Sequence, residues 1–143
     1  MKIHSLMPIS STYSKLFIIP KSVIDENGHV NNVAYVQWMQ DIAIEHYRSI
    51  GGLEAQGQDA TWVIREHRIE YLLPAFAGEE IEVHTWVENI RRVRSLRKYE
   101  FIRKSDGKVL VKGETDWVFV NAHTGQPLPI PESVSNVFSD EPT

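Results

Sequence analysis

The chain has 143 residues, 42% hydrophobic and 24% charged, which fits one domain with a sizeable core and excludes a disordered, collagenous or membrane-spanning polypeptide. Lys and Arg number 15 against 19 Asp and Glu, a formal charge of -4, and this acidic balance argues against a nucleic-acid partner. Cysteine is absent, so disulfide frameworks, thiolate metal sites and a cysteine nucleophile are excluded, and chemistry must run through oxygen or nitrogen groups.

The opening Met1 to Pro8 is broken by a proline too early for the apolar stretch of a secretory signal, and no run of about 18 apolar residues follows anywhere. The expectation is a cytoplasmic protein without membrane insertion. Pro8 to Thr12 reads as a loose start. Tyr13 to Ile19 is rich in β-branched and aromatic residues and reads as a first strand.

Between Pro20 and Pro74 no proline interrupts the chain, and a long helix fits there. Val36, Met39, Ala43, Tyr47 and Ile50 recur at three- and four-residue steps from Val33, with Tyr35, Trp38 and Ile42 forming a second apolar row. A helix so apolar must be covered on most sides. Asn31 or Asn32 can cap its start, and Gly51-Gly52 can end it through a left-handed turn.

Strands are expected at Thr61 to Leu73, Glu80 to Ile90, Val93 to Lys104 and Lys108 to Asn121, where apolar and polar residues alternate, as in Ile81, Val83, Thr85 and Val87. Ser105-Asp106-Gly107 signals a hairpin turn between the last two. After Gly125 the chain reads as a Pro- and Ser-containing tail. One long helix followed by antiparallel strands makes an α+β domain, residues 1–143, with a core from about 13 to 131 and a curved sheet wrapped around the helix.

Serine-hydrolase elbows, P-loops, dinucleotide fingerprints and zincin motifs are all missing. The histidines at 29, 46, 67, 84 and 123 are too dispersed for a local metal site, although strands can bring His67 toward His84. The informative segment is Asp25-Glu26-Asn27-Gly28-His29-Val30-Asn31-Asn32-Val33-Ala34-Tyr35. It sets polar groups directly before the helix, where unpaired first-turn N–H groups and the dipole stabilise a carboxylate or an oxyanion. Gly28 allows a tight turn or close approach to a ligand, and Asn27 and His29 offer donors and acceptors beside it.

This segment resembles the active-site stretch of hotdog-fold thioesterases, in both the 4-hydroxybenzoyl-CoA thioesterase group and the plant acyl-ACP thioesterases. Asp25, Gly28 and Val30 match the first group. Asp25, Asn27, His29, Val30, Asn31 and Asn32 match the second. Ile69 to Glu79 resembles the family's aromatic, Pro and Gly-acid strand-turn pattern, and Thr124-Gly125-Gln126-Pro127 with Ile130-Pro131 resembles its ending.

The resemblance implies a single hotdog domain that hydrolyses an acyl-CoA or acyl-ACP thioester to a carboxylic acid and a thiol. Asp25 would be nucleophile or general base, with Asn27 and His29 as supporting catalytic residues. Gly28 and backbone N–H groups near Val33, Ala34 and Tyr35 would bind substrate, the latter as an oxyanion hole. The plant enzymes carry a further Glu after the strand that reads here Ile69-Glu70-Tyr71-Leu72-Leu73-Pro74, so a four-residue network is not carried over.

No metal or redox cofactor is implied, coenzyme A entering only as part of the substrate, and a homodimer or homotetramer is expected. The basic stretch Arg91, Arg92, Arg94, Arg97 and Lys98, extended by Arg103, Lys104, Lys108 and Lys112, suits phosphate oxygens of coenzyme A or an acidic carrier protein, or else forms a solvated strand face. A non-catalytic acyl-CoA-binding module and a dehydratase of the same fold are the competing readings.

Overall fold

The computed structural model describes residues 8–139. The reading of the first seven residues as lacking a leader therefore lies outside the described residues. Element order is β1 (Tyr13–Ile18), α1 (Asn32–Ser49), α2 (Gly52–Gln56), β2 (Ala60–Tyr71), β3 (Glu80–Arg91), β4 (Arg94–Arg103), β5 (Val109–Asn121) and α3 (Glu132–Ser139). The strands form one antiparallel five-stranded sheet in the order β1-β3-β4-β5-β2, the α+β arrangement that the sequence predicts.

Alternation builds the core. Ile81, Val83, Thr85 and Val87 of β3 and Ser95, Arg97, Tyr99 and Phe101 of β4 are buried at every second position, as a half-covered sheet requires. Helix α1 covers that face with Ala34, Tyr35, Met39, Ile42, Ala43, His46 and Tyr47, each large apolar side chain contributing about 1.5–3 kcal/mol on burial. Gly113 of β5 admits the helix closely, because a Cβ there would stand 2.9 Å from the Met39 sulfur.

The α1 start follows the capping expectation: Asn31 is extended, and its side chain accepts the Ala34 N–H at 3.0 Å. Coverage is less complete than the apolar count implies. Val33 is 76% exposed and Ile44 43%, so one face of α1 is open in the single chain.

Two terminal segments depart from the sequence reading. The supposedly loose start is docked: Ser10 is buried, its Oγ accepts the Val87 N–H at 2.7 Å, and the Ile9 N–H donates to the Val87 carbonyl. The supposed tail carries α3, whose Val134 and Phe138 are buried against Tyr47, Val87 and Phe119. Helix α2 after Gly51 is likewise an addition, with Gly51 at φ +84°. Among the described residues no helix is long and apolar enough to cross a membrane.

Candidate active site

The Asp25 segment is a closed loop. Ile24 and Val30 pair as an isolated antiparallel bridge, the Asp25 N–H donates to the His29 carbonyl, and the Gly28 N–H donates to the Asp25 carbonyl, both at 3.0 Å. Gly28 sits at φ +83°, a backbone state that glycine adopts without steric cost. One carboxylate oxygen of Asp25 accepts the Asn27 N–H at 2.9 Å, a local turn typical of Asp. The loop is anchored below by Val30 N–H to the Ala75 carbonyl and Asn31 N–H to the Val23 carbonyl.

The loop therefore delivers its polar groups to the start of α1. Of the first-turn amides, that of Ala34 is already engaged by Asn31, which leaves those of Asn32 and Val33 as donors at the positive end of the helix. Beside them lies a cleft of about 180 Å³ lined by His29, Val30, Asn32, Tyr35 and the strand-end segment Tyr71 to Ala75.

The Tyr35 ring stands edge-on to Tyr71 and Phe101. Burial, helped by the neighbouring Tyr71 and Glu79, pushes its phenol pKa up to about 12, so it faces the cleft as a neutral group at physiological pH. Sequence reasoning missed Tyr71 to Ala75 as cleft walls. They belong to a separate motif and meet His29 only through the fold.

The structure closes Asp25, Asn27, Gly28 and His29 into one loop ahead of α1, but of the site residues predicted from sequence only His29 and Tyr35 line the cleft. It does not bring Arg91, Arg92 and Arg94 to them. These arginines occupy the β3–β4 turn, whereas the loop lies near the opposite ends of those strands, where the Ile19 N–H donates to Glu79 and the Gly78 N–H to the Ile19 carbonyl. Strand β4 alone has 10 residues, about 30 Å of extended chain.

The basic stretch is also not one strip. Arg94 pairs with Asp116 at 2.6 Å, an acid that Arg65 also holds at 3.0 Å. Arg103 pairs with Glu79 and Asp106. Arg97 is only 3% exposed and donates to His46 Nδ1 at 2.8 Å and Thr85 Oγ1 at 3.1 Å. A strand sends successive side chains to opposite faces, which divides a run that looks continuous in sequence.

His67 and His84 stand on β2 and β3, separated in the sheet by β4 and β5. His67 contacts Thr115 Oγ1 at 2.9 Å, and His84 contacts Glu82 at 3.0 Å. A second, larger cavity of about 270 Å³ lies under the C-terminal half of α1, lined by residues that include Ala43, Tyr47, Trp62, Val87, Trp117 and Phe138. Of the site residues predicted from sequence, only Arg97 of the basic stretch lines it.

Comparison with known proteins gives a consistent picture. A family model described as the thioesterase-like superfamily matches residues 19–138. A Caenorhabditis elegans protein named as an esterase is 25% identical over 122 residues, covering 85% of this chain and 70% of that protein. The chloroplastic oleoyl-acyl carrier protein thioesterase 1 of Arabidopsis thaliana is 21% identical, covering 96% of this chain but 40% of the plant protein.

Among solved structures, a 1,4-dihydroxy-2-naphthoyl-CoA thioesterase from Synechocystis superimposes with a TM-score of 0.80 at 17% identity, over 92% of this chain and all of that one. The 12:0-ACP thioesterase of Umbellularia californica gives 0.81 at 20% identity, over 90% of this chain and 50% of that one. The shared architecture is the hotdog fold.

Proposed function

This chain belongs to the thioesterase-like superfamily, and we propose that it hydrolyses an acyl thioester, of coenzyme A or of an acyl carrier protein, to a carboxylic acid and a thiol. The observation that carries the reading is the delivery of the Asp25–His29 loop to the start of α1 beside the Tyr71–Ala75 cleft. Asp25 attacks the thioester carbonyl or takes a proton from the water that does. The first-turn amides of α1 meet the oxygen on which charge develops, where preorganised donors are effective. His29 and Asn27 position the reacting groups.

The working unit in this reading is a homodimer, or two such dimers, joined along β2. Support comes from β2 being a sheet edge with Val63 44% exposed, and from the open face of α1. A long edge strand with unpaired backbone groups is a template for pairing. Arg91, Arg92 and Arg94 can hold the phosphate end of a substrate at Asp25 only by acting across such a pair, since within one chain they lie at the far end of the sheet.

A second reading draws on the hydrogen bond from the Asn27 N–H to the Asp25 carboxylate: Asp25 then only shapes the loop, and the chain binds acyl-CoA without turnover. Thiol release from aliphatic and aromatic acyl-CoAs, with wild type beside Asp25→Asn, separates the two. Asn retains the acceptor oxygen that holds the turn but not the charge, so collapse of turnover in a folded variant supports hydrolysis. Tight binding with no thiol release from acyl-CoA or acyl carrier protein supports the binding module.

A further inference from the structure

The cavity under the C-terminal half of α1 has no part in the site built from the motif, yet its walls are specific. Its floor is buried sheet, with Val87, Ser95 and Arg97. Its rim is exposed, with Ile44 and Leu53 each 43% accessible beside Thr61 and Trp62 of the edge strand β2. It is therefore a blind pocket with a mouth at the β2 edge. The Arg97 guanidinium is held by His46 and Thr85 and belongs to the wall.

Its volume of about 270 Å³ falls just below the usual ~300–1,000 Å³ of sites for drug-sized ligands. The mainly apolar lining suits an acyl group rather than a nucleotide.

The pocket does not communicate with Asp25 of the same chain. Tyr35, Met39 and Phe101, all buried, fill the space between α1 and the sheet in between, and Ala43 stands 11 residues beyond Asn32, about 16 Å along the helix. Its mouth instead faces the edge along which a second copy would pair antiparallel, a pairing that sets the Ala60 end of one β2 toward the Tyr71 end of the other.

Helix α3 supplies a buried part of the wall through Phe138. Phe138 stacks on Tyr47 at 5.8 Å between ring centroids, contacts the His46 ring at 6.3 Å, and is itself buried. We propose that this pocket takes the acyl group of the thioester processed by the paired subunit, and that Phe138 on α3 sets the length of chain it accepts. The proposal rests on the thioesterase reading above and adds to it a specificity-determining residue that lies outside the motif.

The test compares kcat/KM for thiol release across straight-chain acyl-CoAs from butanoyl to hexadecanoyl, in wild type, Phe138→Leu and Phe138→Ala. Thermal unfolding of each variant is measured alongside. Shortening Phe138 is expected to move the optimum toward longer chains, raising the preference for a chain two methylenes longer about tenfold, with Leu intermediate. A uniform fall in kcat/KM with the length profile unchanged would mean that Phe138 only supports the fold, and would overturn the proposal.

Titration with decanoate, read by fluorescence of Trp62 and Trp117 in the lining, tests the pocket apart from catalysis. Decanoate binding that moves to tetradecanoate in Phe138→Ala, without thiol release in any variant, would sink the hydrolase reading and leave the pocket assignment standing. Absence of both decanoate binding and a length shift would sink the pocket.

Discussion

Asp25 has two separable tasks, and the side-chain atoms tell them apart. Its oxygen holds the Asn27 N–H, which either Asp or Asn can do, whereas its charge serves only chemistry. Asp25→Ala should therefore lower stability by about 1 kcal/mol, the usual value of one such bond, while Asp25→Asn should unfold at nearly the wild-type temperature; calorimetry on both variants checks this. Equal destabilisation by Asn and Ala would show that the charge itself holds the loop. His67 offers a pH effect of known sign. Burial beside Thr115 lowers its pKa from the ordinary 6.5, so the unfolded chain takes up a proton there before the folded one does. Stability from this group is complete above about 6.5 and is lost as pH falls through the window below it. His67→Gln should accordingly lose less stability than wild type between neutral and mildly acidic pH in urea titrations, and parallel losses would contradict this assignment. Residue identity in sequence made the Asp25 motif legible because its members are contiguous. Arg97 was not legible, since its partners His46 and Thr85 come from α1 and β3.

At the scale of elements, α1 and the strands are readable because each is long enough to repeat its period several times. The 18 residues of α1 and the alternating burial of β3 and β4 leave little ambiguity. Helix α2, with 5 residues, and α3, with 8, are too short to establish a period, and α3 follows a proline-rich stretch that reads as tail. Position matters more than length for function: α1 places its N-terminus at the Asp25 loop and its C-terminal half over the blind pocket. The cap that fixes this start is Asn31. Asn31→Ala should cost about 1 kcal/mol, seen as a fall of several degrees in melting temperature, with a further loss of turnover if the first-turn amides shift. Unchanged melting would mean that the Ala34 amide finds another acceptor. Neither cavity was legible in the sequence, because each is enclosed by segments distant along the chain, such as His29 with Tyr71 and Tyr47 with Phe138.

The whole molecule has surfaces that a single chain leaves open: the edge of β2 and the α1 face bearing Val33 and Ile44. Sedimentation velocity should give a particle of at least twice the 16.4 kDa chain mass. Val63→Lys, a charge placed on that edge, should shift it toward monomer, as edge lysines do, while changing the stability of the isolated chain by no more than about 0.5 kcal/mol. A wild-type monomer at micromolar concentration would remove the paired site and the acyl-pocket assignment together. Family and fold are secure on the match over residues 19–138 and on the superpositions, so the central claim is the chemistry at Asp25. Its most direct test is thiol release from an acyl-CoA and acyl carrier protein panel by wild type and by folded Asp25→Asn in parallel. The account predicts turnover by wild type on part of the panel and a loss of about a hundredfold or more in the variant; equal turnover by the two proteins would contradict it.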